Sequence, residues 1–143
     1  MRILCIGDSN TWGYNPRNGM QHDKRWTRVL AELMPENEII EEGMCGRTFL
    51  SVDPFIPQRC GVDALPGIIE RNQSVDLVIV MNGTNELKSD FNRSIEYLTE
   101  CVETFIKMLQ NPYSWNDGNV PKLLMISPIL IREEVLYRGG ICD

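Results

Sequence analysis

The sequence predicts an α/β fold, a three-layer α/β/α sandwich around a parallel, flavodoxin-like sheet. Short apolar runs bounded by Gly and Asn, as in ILCIGDSNTWGY and VDLVIVMNGTNE, are typical of strands buried on both faces. Segments with apolar residues at helical spacing alternate with these runs. Strands that alternate with helices form parallel βαβ units joined by right-handed crossovers, which gives helices on both sides of the sheet.

The first half of the chain contains two predicted strands and two predicted helices. The opening apolar run, residues 3–7, is a strand, and RWTRVLAELMP, residues 25–35, is an amphipathic helix closed by its proline. NEIIEEG, residues 37–43, is a short second strand. ALPGIIERN, residues 64–72, indicates a short helix that is interrupted near Pro66 and the glycine after it.

The second half repeats the alternation of strand and helix. Residues 75–86 start with a β-branched run, which predicts a third strand, and end in a polar turn. Residues 92–110 form the clearest amphipathic helix of the chain. Residues 113–121 are a loop. KLLMISPI, residues 122–129, is a fourth buried strand broken by Pro128.

Length and charge limit the classes of function. At 143 residues the chain is long enough for one domain with a sizeable core, and we expect a single domain over 1–143. With a net charge of -6 and 14 scattered Lys and Arg, nucleic acid is not an expected partner. No apolar stretch reaches the roughly 18 residues of a transmembrane helix, and no charged leader precedes the first strand. We therefore expect a cytoplasmic protein with no membrane partner.

The cysteines predict neither a disulfide framework nor a metal site. Their number is odd, their spacing is wide and no CxxC pair occurs, at Cys5, Cys45, Cys60, Cys101 and Cys142. We expect reduced, mostly structural thiols and no bound metal or cofactor.

Three polar, glycine-containing loops follow the first three predicted strands, at residues 7–10, 43–48 and 82–86. The carboxyl ends of parallel strands share one edge of the sheet, where ligands bind in α/β folds. Ser9 lies in the first of these loops. From position alone it is either a nucleophile or a serine that caps a helix or turn.

The ordered set GDSNTWG, EEGMCGRTF and NGTNELK resembles the SGNH hydrolases, also called GDSL esterases and lipases, and within them the arylesterase-like branch. The resemblance covers essentially the whole chain. It implies hydrolysis of short-chain acyl or aryl esters, which are small-molecule substrates, through an acyl-serine intermediate and without metal or cofactor.

The resemblance also implies roles for individual residues. Ser9 would be the nucleophile, and the oxyanion donors would be the backbone N–H groups of Ser9 and Gly46 and the side-chain amide of Asn85. Apart from the resemblance, we expect Asp8 to brace the loop by accepting backbone N–H groups rather than to take part in the chemistry, and Gly7 to support the site. We expect these loops to converge on one small pocket. Gly46 and Asn85 also have alternative interpretations as ordinary turn residues.

The chain departs from the family in its histidine. The family pairs its serine with a histidine from a late DxxH block, and this sequence has no such block. The sole histidine, His22, lies in a loop and is interpreted as a solvated residue. The chain resembles a C-terminally incomplete member with four of five expected strands, nearly inactive alone. The alternative is a non-catalytic module that keeps the pocket and binds a small ligand or a partner chain.

Three smaller expectations concern residues beside the site. Glu86 stands where the family commonly has Asp, which could slightly reposition the adjacent amide. Cys45 stands where a polar residue is frequent, so a reactive thiol is conceivable there. Arg47 is expected to form a loop salt bridge.

The fourth strand would present an unpaired apolar edge, from which we expect a homo-oligomer.

Overall fold

The structure is a computed structural model that describes residues 1–88, 91–116 and 118–128. Its sheet contains four parallel strands, in the order β2-β1-β3-β4, namely β1 Arg2–Gly7, β2 Glu38–Gly43, β3 Leu77–Met81 and β4 Lys122–Ile126. This order is that of a flavodoxin-like sheet. The predicted α/β class is therefore confirmed.

Helices connect the four strands of the described residues. The longest of them has 15 residues, and no helix of the described ranges is both long and apolar enough to cross a membrane. Single 3₁₀ turns lie at Pro57–Arg59, Thr84–Leu87 and Pro112–Ser114. The helices are α1 Ser9–Trp12, α2 Trp26–Leu33, α3 Gly61–Arg71 and α4 Ile95–Leu109.

The side chains of β1 alternate between two hydrophobic clusters, one on each face of the sheet. Ile3 and Cys5 pack with residues of α2, and Leu4 and Ile6 pack with residues of α3 and α4. All four side chains are buried, because a central parallel strand is covered on both faces. The three layers that the sequence predicts are therefore present.

The predicted interruption of the helix near Pro66 is wrong, because α3 is continuous from Gly61 to Arg71. A proline at this position removes one backbone donor, whose partner would be the carbonyl of Val62, and costs about 3 kcal/mol. Leu65, Ile68 and Ile69 are buried on the sheet side of this helix. Burial of each contributes about 1.5 to 3 kcal/mol, so packing outweighs the local preference.

The fourth strand also differs from its prediction. It pairs with β3 along its whole length, but its residues are half-buried or exposed, and Leu124 retains 47% of its accessible surface. The expectation of a buried fourth strand is therefore wrong. Within the described residues no strand pairs with the other edge of β4. Pro128 lies two residues beyond the end of β4 and does not interrupt it.

Candidate functional site

Ser9 is the first residue of α1, directly after the carboxyl end of β1. Asp8 caps this short helix, since its Oδ1 accepts from the backbone N–H of Asn10 at 2.9 Å. Burial raises the pKa of the Asp8 carboxyl, and the hydrogen bonds from Asn10 oppose that effect. Asp8 thus braces the loop, as expected, and Ser9 lies half-buried at the edge of the sheet.

Gly7 allows α1 to pack directly on the sheet. A Cβ atom at this position would lie 2.1 Å from Thr11 Oγ1 and 2.2 Å from the carbonyl oxygen of Met81. That carbonyl accepts from the hydroxyl of Thr11 and from the N–H of Asp8, both at 3.4 Å. The turn that carries Ser9 is therefore anchored to the end of β3, and glycine is required for the close approach.

The loop after β2 contacts the same turn. The N–H of Met44 donates to the carbonyl of Gly7 at 3.0 Å. Gly46 has a φ of 80°, and a Cβ atom there would lie 2.3 Å from Arg59 Nε. Both the left-handed backbone and the neighbouring guanidinium therefore disfavour a side chain at this position.

Arg47 does not form the expected loop salt bridge within the described part of the chain. Its side chain is 4% exposed, and its Nη1 donates to the carbonyls of Glu42 and Gly7. Burial lowers the pKa of this guanidinium. The prediction fails because the carboxyl ends of β1 and β2 present carbonyl groups that need donors, and arginine offers five N–H bonds.

Asn85 links the loop after β3 to the loop after β2. It lies buried in the 3₁₀ turn Thr84–Leu87, and its Nδ2 donates to the carbonyl of Arg47 at 3.0 Å. The neighbouring Thr84 Oγ1 accepts from Asn10 Nδ2 of α1 at 3.4 Å. An amide NH₂ has two hydrogens, so the bond to Arg47 orients the group and uses only one of them.

The three loops that carry Ser9, Gly46 and Asn85 are thus joined at one edge of the sheet. The loop after β2 bonds to Gly7, and the turn after β3 bonds to both other loops. This arrangement offers a hydroxyl, backbone N–H groups and an uncharged amide donor in one region. Such a set can bind an oxygen that becomes negative during a reaction.

Glu86 makes a contact that the sequence did not predict. Its carboxylate is 4% exposed, and Oε1 accepts from the backbone N–H groups of Phe49, Leu50 and Ser51 at 2.9, 3.0 and 3.3 Å. The partners lie 35 to 37 residues away along the chain. The presence of Glu in place of the common Asp after Asn85 was the one signal in the sequence.

His22 lies in an exposed loop, as expected. Its N–H donates to the carbonyl of Gly13 at 2.6 Å, and its Nδ1 accepts from the N–H of Lys24 at 3.1 Å. Only the second contact involves the imidazole, and its partner lies in the same loop. No hydrogen bond joins the imidazole to Ser9 within the described residues.

The thiol of Cys45 is not activated. Burial raises its pKa, and the positive charge of Arg59 opposes that rise only in part. Cys5, Cys60 and Cys101 are buried and also free, with the pKa of Cys5 raised by burial to about 12 and that of Cys101 to about 11. Cys142 lies outside the described residues.

An apolar cavity of about 390 Å³ lies beside the turn that carries Asn85. Both polar atoms of the buried Asn82 amide face no hydrogen-bond partner in the described chain. No group of three or more His, Cys, Asp or Glu suited to a metal ion occurs among the residues that the structure describes. The cavity is lined by Phe49, Asn82, Gly83, Glu86, Leu87, Leu98, Val102, Met125, Ile126, Ser127 and Pro128.

The profile of the GDSL-like lipase/acylhydrolase family matches residues 5–126. This range includes the three loops described above. Among curated proteins, none matches the chain in sequence.

Solved structures with the same fold include two bacterial esterases. The aryl esterase of M. smegmatis in its inhibitor-bound form is 34% identical, with a TM-score of 0.80 over 89% of this chain and 63% of that chain. A carbohydrate acetylesterase from Sinorhizobium meliloti is 31% identical, with a TM-score of 0.82 over the same shares. The present chain thus spans less than two thirds of the length of these proteins.

Proposed function

Because the chain belongs to the GDSL-like lipase/acylhydrolase family, we propose that it is a carboxylic-ester hydrolase whose nucleophile is Ser9. The observation that carries this proposal is the junction of three loops at the carboxyl edge of the sheet. One of them presents Ser9 and the others present Gly46 and Asn85, connected by the bond from Asn85 Nδ2 to the carbonyl of Arg47 at 3.0 Å.

In the proposed reaction, Ser9 Oγ forms a bond to the acyl carbon of the ester and loses its proton. The carbonyl oxygen becomes an oxyanion, which accepts from the N–H groups of Ser9 and Gly46 and from the second hydrogen of the Asn85 amide. The C–O bond to the alcohol then breaks, and the alcohol leaves with a proton. Water attacks the acyl-serine, releases the carboxylic acid and restores the hydroxyl.

Two observations support a small ester as the substrate. The structures similar to this chain include an aryl esterase and a carbohydrate acetylesterase. An apolar cavity of about 390 Å³, lined by Gly83, Glu86 and Leu87 on either side of Asn85 in the chain but not by Ser9, Gly46 or Asn85 themselves, has room for a short acyl or aryl group near this turn. We therefore propose short-chain acyl or aryl esters as the substrate class.

The proton of Ser9 requires a base, and the 143 residues contain a single histidine, His22, held within its own loop. Loss of a triad member leaves a residual rate about 10³ to 10⁴ above that in water, supplied by the oxyanion donors and binding. We expect very slow turnover of 4-nitrophenyl acetate by this chain, equally slow in His22→Ala.

Exogenous imidazole can act as the base and makes the proposal testable. The imidazole-stimulated hydrolysis of 4-nitrophenyl acetate should be faster with the wild-type chain than with Ser9→Ala, which serves as the background. Equal rates with the two proteins would contradict the proposal. Robust activity without imidazole that His22→Ala abolishes would instead identify His22 as the base.

A second candidate is a non-catalytic module that keeps this pocket and binds a small ligand. The observation that favours it is the placement of the sole imidazole, whose Nδ1 accepts from Lys24 in an exposed loop. Binding of 4-nitrophenyl acetate to both wild type and Ser9→Ala, with no Ser9-dependent hydrolysis under imidazole, would support this alternative.

A further inference from the structure

We propose that Glu86 is a positioning residue that fixes the Asn85 amide relative to the loop after β2. The inference rests on the proposed function, because it assigns Asn85 a role as oxyanion donor. Glu86 itself is assigned no contact with the substrate. It acts by joining two segments: its backbone belongs to the 3₁₀ turn Thr84–Leu87, and its side chain bonds to residues 49–51.

The carboxylate of Glu86 is held by an unusual number of donors. Three consecutive backbone N–H groups, those of Phe49, Leu50 and Ser51, converge on the single oxygen Oε1. Phe49 and Ser51 are buried, as is Glu86. The other oxygen, Oε2, is buried without a hydrogen-bond partner in the described chain, so Oε1 alone makes the link. Movement of the carboxyl would leave these N–H groups without their acceptor, so the three contacts fix the distance between the two segments.

The same two segments carry the proposed donors. Asn85 and Glu86 are adjacent in the 3₁₀ turn Thr84–Leu87, and residues 49–51 follow Gly46 and Arg47 within five positions. The amide of Asn85 makes a second bridge, to the carbonyl of Arg47 at 3.0 Å. Because two neighbouring side chains bond to the same loop, release of one changes the geometry at the other.

Removal of the carboxylate leaves three N–H groups without their acceptor. Each buried donor without a partner costs about 1 to 3 kcal/mol, so residues 49–51 would shift until water reaches them. Such a shift carries the carbonyl of Arg47 away from Asn85 Nδ2. In Glu86→Asp the side chain is shorter by one C–C bond, about 1.5 Å, so the three contacts cannot all be kept without movement of the turn.

The experiment compares Glu86→Ala, Glu86→Gln and Glu86→Asp with the wild-type chain, and uses Glu100→Ala on the exposed face of α4 as the matched control. Amide hydrogen exchange is measured by NMR at Phe49, Leu50 and Ser51, with the amides of β1 as the reference for the fold. The side-chain NH₂ resonances of Asn85 report the position of the proposed donor. The kcat and KM of imidazole-stimulated hydrolysis of 4-nitrophenyl acetate report its consequence.

In Glu86→Ala we expect exchange at Phe49–Ser51 to rise at least about tenfold while β1 stays protected. The Asn85 resonances should shift, and kcat should fall about 10 to 100-fold with KM nearly unchanged, because an oxyanion donor acts in the transition state. Glu86→Gln keeps a carbonyl acceptor and should restore most of all three values. Glu86→Asp should lie between Glu86→Ala and wild type, and Glu100→Ala should match wild type.

Unchanged exchange at Phe49–Ser51, or released amides with unmoved Asn85 resonances, would overturn the inference. If Glu86→Ala does not fold, the other two variants decide. The inference then requires that the effect on all three readouts increases from wild type to Glu86→Gln to Glu86→Asp, and any other order overturns it. Failure of the proposed function is distinct from either result. It appears as equal hydrolysis by wild type and Ser9→Ala, whatever the Asn85 resonances show.

Discussion

Asn85 Nδ2 lies 3.0 Å from the carbonyl oxygen of Arg47, a hydrogen bond between residues 38 positions apart in the chain. The bond joins the 3₁₀ turn after β3 to the loop after β2. It also sets the orientation of the Asn85 amide, because only the NH₂ group, and not the amide oxygen, can donate to a carbonyl.

Substitutions at Asn85 should therefore affect stability according to their hydrogen-bonding chemistry. Asn85→Ala removes one donor from a buried carbonyl and should cost about 1 to 2 kcal/mol of unfolding free energy. Asn85→Asp places a carboxylate oxygen against that carbonyl and should cost more, about 3 kcal/mol. Urea unfolding at neutral pH measures both. Asn18→Asp is the control, because the exposed Asn18 side chain acts there as an acceptor, to Met20. Equal losses for Asn85→Ala and Asn85→Asp would contradict this account.

Gly46→Ala should be more destabilising than Gly19→Ala. Both glycines have left-handed backbones, with φ of 80° and 71°, so each substitution carries about 1 to 2 kcal/mol of backbone strain. Only at Gly46 would the new Cβ atom collide with another group, the guanidinium of Arg59, whereas Gly19 has nothing within 4 Å. We expect an additional loss of at least about 1 kcal/mol at Gly46, measured by thermal unfolding. Matching losses would show that Arg59 moves freely.

Glu41 should stabilise the fold at neutral pH and lose this effect in acid. Burial by itself would raise the pKa of Glu41, but hydrogen bonds from Arg25 and Thr27 lower it below the ordinary value of 4.5. A carboxyl with a lowered folded-state pKa stabilises the fold above its unfolded pKa, and the effect disappears as pH falls through the folded value.

The corresponding variant is Glu41→Gln. At pH 7 it should be less stable than wild type by about 1 to 2 kcal/mol, and the difference should shrink as the pH is lowered below about 4.5. Urea unfolding across this pH range measures it. Glu38→Gln, in an exposed pair with Arg2, should change stability by less than about 1 kcal/mol at any pH. A Glu41→Gln difference that is constant from neutral to acid pH would contradict the assigned pKa direction.

Self-association is expected to use the outer edge of β4, which pairs with no other strand among the described residues. Leu124 is 47% exposed on this strand, and an unpaired apolar edge favours pairing with a second chain. Leu124→Lys should shift sedimentation velocity profiles at high concentration toward the monomer, whereas Leu33→Lys, on the exposed side of α2, should not. A wild-type chain that remains monomeric at high concentration would refute this expectation.

Elements governed by local patterns could be predicted from the sequence. Residues 3–6 are consecutive apolar residues, and all are buried because the strand is central. The spacing of apolar residues in 25–35 and 92–110 predicted α2 and α4, and Ser94 supplies the cap that begins α4, since its Oγ accepts from the N–H of Tyr97. In each case one segment contains the whole signal.

The remaining features depend on residues that are distant in the chain. Pro66 is accommodated because α3 buries its apolar side on the sheet, and β4 is half-exposed at the edge of the described sheet. Arg47 bonds to carbonyls of two strands, and Glu86 bonds to amides more than 30 residues away. Such partners follow from tertiary packing, which no local spacing encodes.

The most direct test of the central claim, that Ser9 is the nucleophile of an ester hydrolase, is peptide mapping by mass spectrometry. The chain is incubated with 4-nitrophenyl acetate, with and without imidazole, and quenched in acid before digestion. The account predicts one acetyl group on the peptide that contains Ser9, formed faster with imidazole and missing in Ser9→Ala. A Ser9 peptide that stays unmodified in wild type, or equal acetylation of that peptide in Ser9→Ala, would contradict it.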